Sequence, residues 1–397
     1  MRGALEVADI FRHHGSAWRT AQAGRLSLDQ RRVMGAIEAC RSAALGGHVE
    51  QCGDCGRVRV AYNSCRDRHC PKCQGLARAQ WLEDRRAELL PAPYFHVVFT
   101  MPAPIADIAL QNKAVVYAIL FQAAAETVRI IAADPKHLGA EVGMVGVLHT
   151  WGQNLHHHPH IHAIVPGGGL SLDGQRWVTC RPGFFLPVRV LSRLFRRLFL
   201  ERLQAAFDDG RLRFFGALVG LADPDALRQR LAEMREINWV VYAKRPFGGP
   251  EQVLEYLGRY VHRVAIANSR LTGLSDGRVS FRWKDYRHHG KSKVMTLEAG
   301  EFMRRFLLHV MPKGFHRIRF YGYLANGQRA AKLADCRRLL AAASPPLAPK
   351  ATNYRERYLR LTGKSLDLCP HCGGPMIELG AIAQAGVFQR TQPWNSS

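Results

Sequence analysis

His160 and His162 stand two apart in the run His158-Pro159-His160-Ile161-His162, which continues into Ala163-Ile164-Val165. Apolar and β-branched residues here predict a strand, and alternate residues of a strand share a face, so the two imidazoles can grip one metal ion. Taken alone, the pair fits equally well a surface histidine cluster or a zinc site unrelated to nucleic acid.

A second pair, Tyr256 and Tyr260, lies in Glu255-Tyr256-Leu257-Gly258-Arg259-Tyr260-Val261-His262-Arg263. Residues 251 to 263 read as a helix, so a spacing of four puts both phenols on one face about a turn apart. Arg259 and Arg263 each follow a tyrosine by three. A tyrosine can attack a phosphodiester when its phenol is in line and a metal ion and cationic side chains neutralise the phosphate. On its own, such a pair also describes an amphipathic helix packed on a sheet.

Six of the ten cysteines fall between Cys40 and Cys73. Cys52-x2-Cys55 and Cys70-x2-Cys73 are two knuckles whose four thiolates meet the tetrahedral demand of Zn²⁺, and so short a segment needs the metal to fold. Cys65, His69, Cys40 and His48 are further candidate ligands for the same ion or a second one. Arg57, Arg59, Arg66, Arg68 and Lys72 interleave the module, as in a DNA-binding element. Cys369 and Cys372 form half of a tetrahedral site. CxxC pairs without an export signal point to metal and a reducing compartment rather than disulfides.

The elements that must position these groups follow from periodicity and charge. Lysine and arginine number 56 against 32 acidic residues, a formal charge of +24 that attracts polyanions, nucleic acid first and an anionic membrane surface second. No run of 18 apolar residues and no long apolar leader is present, so an unexported, soluble, cytoplasmic protein without membrane partners is expected. Three regions are expected: a helical amino-terminal part with a zinc-binding module at about 48 to 74, ending near 90; a catalytic domain from 91 to 330; and a linker and tail from 331 to 397 carrying the second CxxC. Within the middle region, 94 to 100, 143 to 151 and 160 to 166 read as strands. Residues 104 to 133 and 187 to 208 read as helices, the latter with a Leu191, Phe195, Phe199, Leu203 stripe opposite arginines. A hairpin from 278 carries Lys284, Arg287, Lys291 and Lys293 beside Trp283 and Tyr286, suited to phosphate contacts and base stacking.

The strand His96-Val97-Val98-Phe99-Thr100, the HPHIH segment, the tyrosines in YLGRYVHRVAIANSR at 256 to 270 and the preceding YNSCRDRHCPKCQ at 62 to 74 together resemble the HUH single-strand endonucleases. Most closely they resemble the transposases of the insertion-sequence-ninety-one family. The resemblance spans roughly residues 40 to 325. It implies an α+β fold: a central, mainly antiparallel sheet flanked by helices, with a tyrosine helix beside the metal strand and a small zinc-binding module in front. It also implies a rolling-circle transposase. In that mechanism a tyrosine attacks single-stranded or hairpin DNA at an element end, leaving a 5′-phosphotyrosine and a free 3′-OH, and the second tyrosine permits a second transfer. Related endonucleases add a third metal ligand from the adjacent strand. Gln153, seven residues before His160, is the favoured third ligand, with His158 and His149 as rivals. Such donors suit Mn²⁺ as well as Mg²⁺. The alternatives are a plasmid replication initiator or relaxase with the same chemistry, or a non-enzymatic zinc protein that binds nucleic acid.

Overall fold

The computed structural model describes residues 5–244, 252, 253, 256, 258, 264–285, 290–343 and 353–384. Fourteen strands occur among these. They are β1 (Gly47–Cys52), β2 (Val58–Tyr62), β3 (Tyr94–Thr100), β4 (Ala140–Glu141), β5 (Met144–Trp151), β6 (His157–Pro166) and β7 (Gly168–Ser171). The rest are β8 (Trp177–Thr179), β9 (Val241–Ala243), β10 (Leu271–Ser275), β11 (Arg278–Asp285), β12 (Lys291–Glu298), β13 (Ile318–Tyr321) and β14 (Met376–Ile382). The architecture is α+β, with antiparallel sheets.

The central sheet runs β13-β5-β6-β3-β9. Its two faces follow from strand alternation. Phe95, Val97 and Phe99 of β3, Leu148 of β5, and Ile161, Ala163 and Val165 of β6 point to the main core. Three helices cover that face: α4 (Ala103–Gln111), α5 (Lys113–Ala133) and α6 (Val188–Asp208), supplying Phe121, Phe195 and Phe199. Each fully buried side chain of this kind contributes roughly 1.5–3 kcal/mol of transfer free energy. Helix α5 is long and apolar enough to cross a membrane by length and composition alone, but Val116, Leu120, Phe121 and Ala124 are buried in this core. On α6 the expected stripe is buried, and Arg189, Arg193 and Arg197 are exposed opposite it.

The other face of the sheet carries His96, His160 and His162 at the alternate positions, together with Tyr94, Val147 and Ile164. Tyr94, Val147 and Ile164 pack with Val253, Tyr256 and Leu82. Gln252, Val253, Tyr256 and Gly258 are helical. A Cβ on Gly258 would lie 2.8 Å from a Leu82 methyl group, so glycine lets this helix approach the helix Gln74–Arg86 closely.

A second core joins the amino terminus to later residues. Val7, Phe11, Val33 and Ile37 pack with Phe281 of the β10-β11-β12 sheet and with Phe302 and Phe306 of the helix Ala299–Leu308. Both amino-terminal helices, Val7–Ala21 and Leu28–Ala39, begin with reciprocal capping boxes, Glu6 with Asp9 and Ser27 with Gln30. A third sheet, β14-β1-β2, inserts a strand from near the carboxyl end beside the cysteine-rich hairpin.

Candidate active site and metal centres

In the β5–β6 ladder His149 is directly opposite His160, and Val147 is opposite His162. Register and alternation therefore gather His149, His160 and His162 on one face, each with a ring nitrogen within 4.8 Å of the others. His160 Nδ1 is 2.7 Å from the His158 carbonyl, an acceptor only, so its proton sits on Nδ1 and its Nε2 carries the lone pair. That Nε2 lies 3.0 Å from Nε2 of His162. Two nitrogens at this separation need a cation or a shared proton between them. The donor set fits a metal ion with open positions, unlike a closed structural site.

Behind His162 lies His96 of β3, 2% exposed, with its Nε2 2.8 Å from His162 Nδ1. The Tyr256 hydroxyl lies 2.9 Å from His96 Nδ1 and 3.0 Å from its Nε2. Burial first, and then the charge of Lys244, hold His96 at a pKa of about 3, so the ring is neutral.

The cysteines form two clusters. Cys40, Cys65, Cys70 and Cys73 converge, with Cys73 Sγ 3.5 Å from both Cys40 Sγ and Cys65 Sγ. Hydrogen bonds from Cys65 and Cys70 lower the Cys40 pKa to about 6. Cys52, Cys55, Cys369 and Cys372 form the other cluster. All ten cysteines are free thiols.

A model described as "Transposase zinc-binding domain" matches residues 10–101, and one described as "Putative transposase" matches residues 143–332. The chain is 29% identical over 361 residues to "Transposase for insertion sequence element IS801" of Pseudomonas savastanoi pv. phaseolicola, covering 87% of this chain and 82% of that one. It is 64% identical over 401 residues, all of both chains, to "Putative transposase y4qJ" of Sinorhizobium fredii (strain NBRC 101917 / NGR234). The chain belongs to the insertion-sequence-ninety-one transposase family. No solved structure matches it.

In this transposase the zinc set read from the sequence is divided. Cys52 and Cys55 do not meet Cys70 and Cys73; each pair joins different cysteines, because β1 and β2 separate the two knuckles and β14 brings Cys369 and Cys372 to the first of them. Two candidate ligands have other partners. His69 contacts Asp67 Oδ1 through Nδ1 at 2.9 Å and accepts the Met311 N–H at Nε2. His48 pairs with Glu50 at 3.3 Å. Of the three candidates for a third ligand, the structure brings His149 beside His160 and His162. Gln153 lies past the end of β5, in a turn where its carbonyl accepts from Arg270, whereas His149 sits within the ladder. Lys284 and Lys291 are exposed at one end of the β11–β12 ladder. Tyr260, Arg259, Arg263 and Arg287 lie outside the described residues.

Two features escaped the sequence reading. His96 was read only as part of a strand, although its place two residues before Val98, the partner of His162, puts it on the histidine face. The pairing of Cys52-x2-Cys55 with Cys369-x2-Cys372 had a signal in the glycine that follows each, Gly56 and Gly373, where Gln74 follows Cys73.

Proposed function

We propose that this transposase nicks and rejoins single-stranded DNA at its element ends through a 5′-phosphotyrosine intermediate, driving rolling-circle transposition. The observation that supports this best is the line of contacts from the Tyr256 hydroxyl through His96 to His162 and His160. It links a phenol, a group able to attack a phosphodiester, to a cluster of imidazoles suited to a metal ion. His149, His160 and His162 would hold the catalytic ion, and three imidazoles favour Mn²⁺ over Mg²⁺. When bound, the ion supplies Lewis-acid polarisation of the scissile phosphate.

The protein's own groups do the rest. To offer Nε2 to a cation, His162 carries its proton on Nδ1 and donates it to His96 Nε2. His96 is then protonated on Nδ1 and donates to the Tyr256 oxygen, stabilising the phenolate as it forms. The Tyr256 hydroxyl gives its proton to solvent and its oxygen bonds to phosphorus, the bond to the 3′ oxygen breaks, and that oxygen takes up a proton from solvent, so no net proton is consumed. Phosphoester number is unchanged, so the DNA can be rejoined. Tyr260 acts as the second nucleophile. Arg259, Arg263, Lys284, Arg287 and Lys291 bind phosphates. The Cys40, Cys65, Cys70 and Cys73 cluster holds a structural zinc ion, and the protein works in the cytoplasm on the nucleoid.

The test is incubation with single-stranded element ends and Mn²⁺ or Mg²⁺, followed by mass spectrometry. A nucleotide-linked peptide containing Tyr256 or Tyr260 is expected. Cleavage that leaves two free DNA ends and no protein adduct overturns the reading.

A further inference from the structure

Cys369 and Cys372 lie far outside the matched zinc-binding region, which ends at residue 101, yet they meet Cys52 and Cys55 across the molecule. Cys52 Sγ is 3.4 Å from Cys372 Sγ, and Cys55 Sγ is 3.8 Å from Cys369 Sγ. Four sulfurs bound to one zinc ion by bonds of about 2.3 Å stand about 3.8 Å apart at the corners of a tetrahedron.

The two halves also share a backbone. In the first, the Gly56 N–H donates to the Cys52 carbonyl at 3.0 Å and the Cys52 N–H donates to the Arg57 carbonyl at 3.0 Å. In the second, the Gly373 N–H donates to the Cys369 carbonyl at 2.9 Å and the Cys369 N–H to the Gly374 carbonyl at 2.7 Å. Both glycines have positive φ, +69° and +81°, a conformation that favours glycine and closes each knuckle. Two copies of one metal-binding turn thus face each other from opposite ends of the sequence.

The surrounding contacts hold them in register. β14 pairs with β1 from Gly47 opposite Ile382 to Cys52 opposite Met376. Glu50, 1% exposed, accepts from Arg59 of β2 and, at 2.7 Å, from Arg355 of the helix Tyr354–Thr362. Burial pushes the Glu50 carboxyl up, but Arg355 and Arg59 outweigh it and hold it below the usual range.

We infer that Cys52, Cys55, Cys369 and Cys372 form a second structural zinc centre, which fastens the carboxyl-terminal hairpin to the amino-terminal module. The thiolates close the tetrahedron, so the ion has a folding role.

Cobalt substitution of the full-length protein tests this, because thiolate-to-cobalt charge-transfer absorption counts cobalt–sulfur bonds and ignores ions held by histidines. The wild type is expected to show the intensity of two four-thiolate sites. Cys369→Ser with Cys372→Ser should halve it, and Cys372→His should keep both ions bound with one cobalt–sulfur bond lost. Intensity for a single four-thiolate site in the wild type overturns the inference however the variants fold. So does an undiminished signal in the double serine variant.

Discussion

The histidine cluster and the two cysteine clusters gather their donors over different sequence ranges. His149, His160 and His162 lie on adjacent strands of one hairpin, so a single register sets them. Cys40 joins Cys65, Cys70 and Cys73 from the end of a helix, and Cys52 meets Cys372 at a separation of 320 residues. Three imidazoles would leave an ion open positions, as the proposed catalysis requires; four thiolates would close one, as the proposed structural role requires. The histidines and the Cys40 cluster rest on local geometry, and the Cys52 cluster alone of the three joins distant parts of the chain.

The sharpest way to break this contrast is to remove a donor from the open site. His162→Ala should reduce single-strand cleavage by more than the roughly 100-fold seen for outer-sphere changes, while DNA affinity, set by basic residues, stays near wild type. Normal cleavage by His160→Ala with His162→Ala would end the metal assignment. The tyrosines come next. Tyr256→Phe and Tyr260→Phe should each impair complete transposition, and the double variant alone should lose every covalent adduct; a single variant that loses all of them would make this a one-tyrosine enzyme.

His96→Phe sharpens the comparison from behind the site. It keeps a ring of similar size but removes both nitrogens, and manganese affinity and cleavage rate should each fall by about 10–100-fold. An unchanged rate would leave His96 with packing alone. On the closed side, Cys70→Ser should lose zinc and expose residues near 65 to 74 to proteolysis with cleavage chemistry affected only through stability; unchanged zinc content would contradict the Cys40, Cys65, Cys70 and Cys73 set.

The smallest effect is in pH. Burial pushes His157 and His309 down to a pKa of about 3, with the charge of Lys113 adding to it for His157 and that of His157 for His309. Both are neutral when folded, whereas unfolded imidazoles titrate near 6.5. Between these values the unfolded chain binds more protons, so stability is full above about pH 6.5 and declines as pH falls toward 3. Urea midpoints at pH 7 and pH 5 measure this, and equal midpoints would mean the two rings protonate in place.

The same contrast explains what could be read in advance. Alternation along Tyr94–Thr100 and His160–Pro166, and the apolar stripe from Leu191 to Leu203, are local patterns, so the central strands and α6 were legible. Which imidazole completes the cluster depended on register, which placed His149 rather than Gln153 opposite His160. The grouping of cysteines depended on chain closure, since every C-x2-C has the same local spacing. β14 was missed because its sequence, Met-Ile-Glu-Leu-Gly-Ala-Ile, shows no alternation: its two end residues are partly buried and the five between are exposed, so no buried face marks it.

The pairing of β1 with β14 also has a consequence in time. At about 5–20 residues per second, the ribosome takes roughly 15–60 s to add the residues between Cys52 and Cys372. For that interval the nascent chain carries half a thiolate cage and an unpaired edge of β1. The β14-β1-β2 sheet is therefore completed only after Ile382 has been added, and a chain cut short before Cys369 is marked by an open knuckle and a bare strand edge.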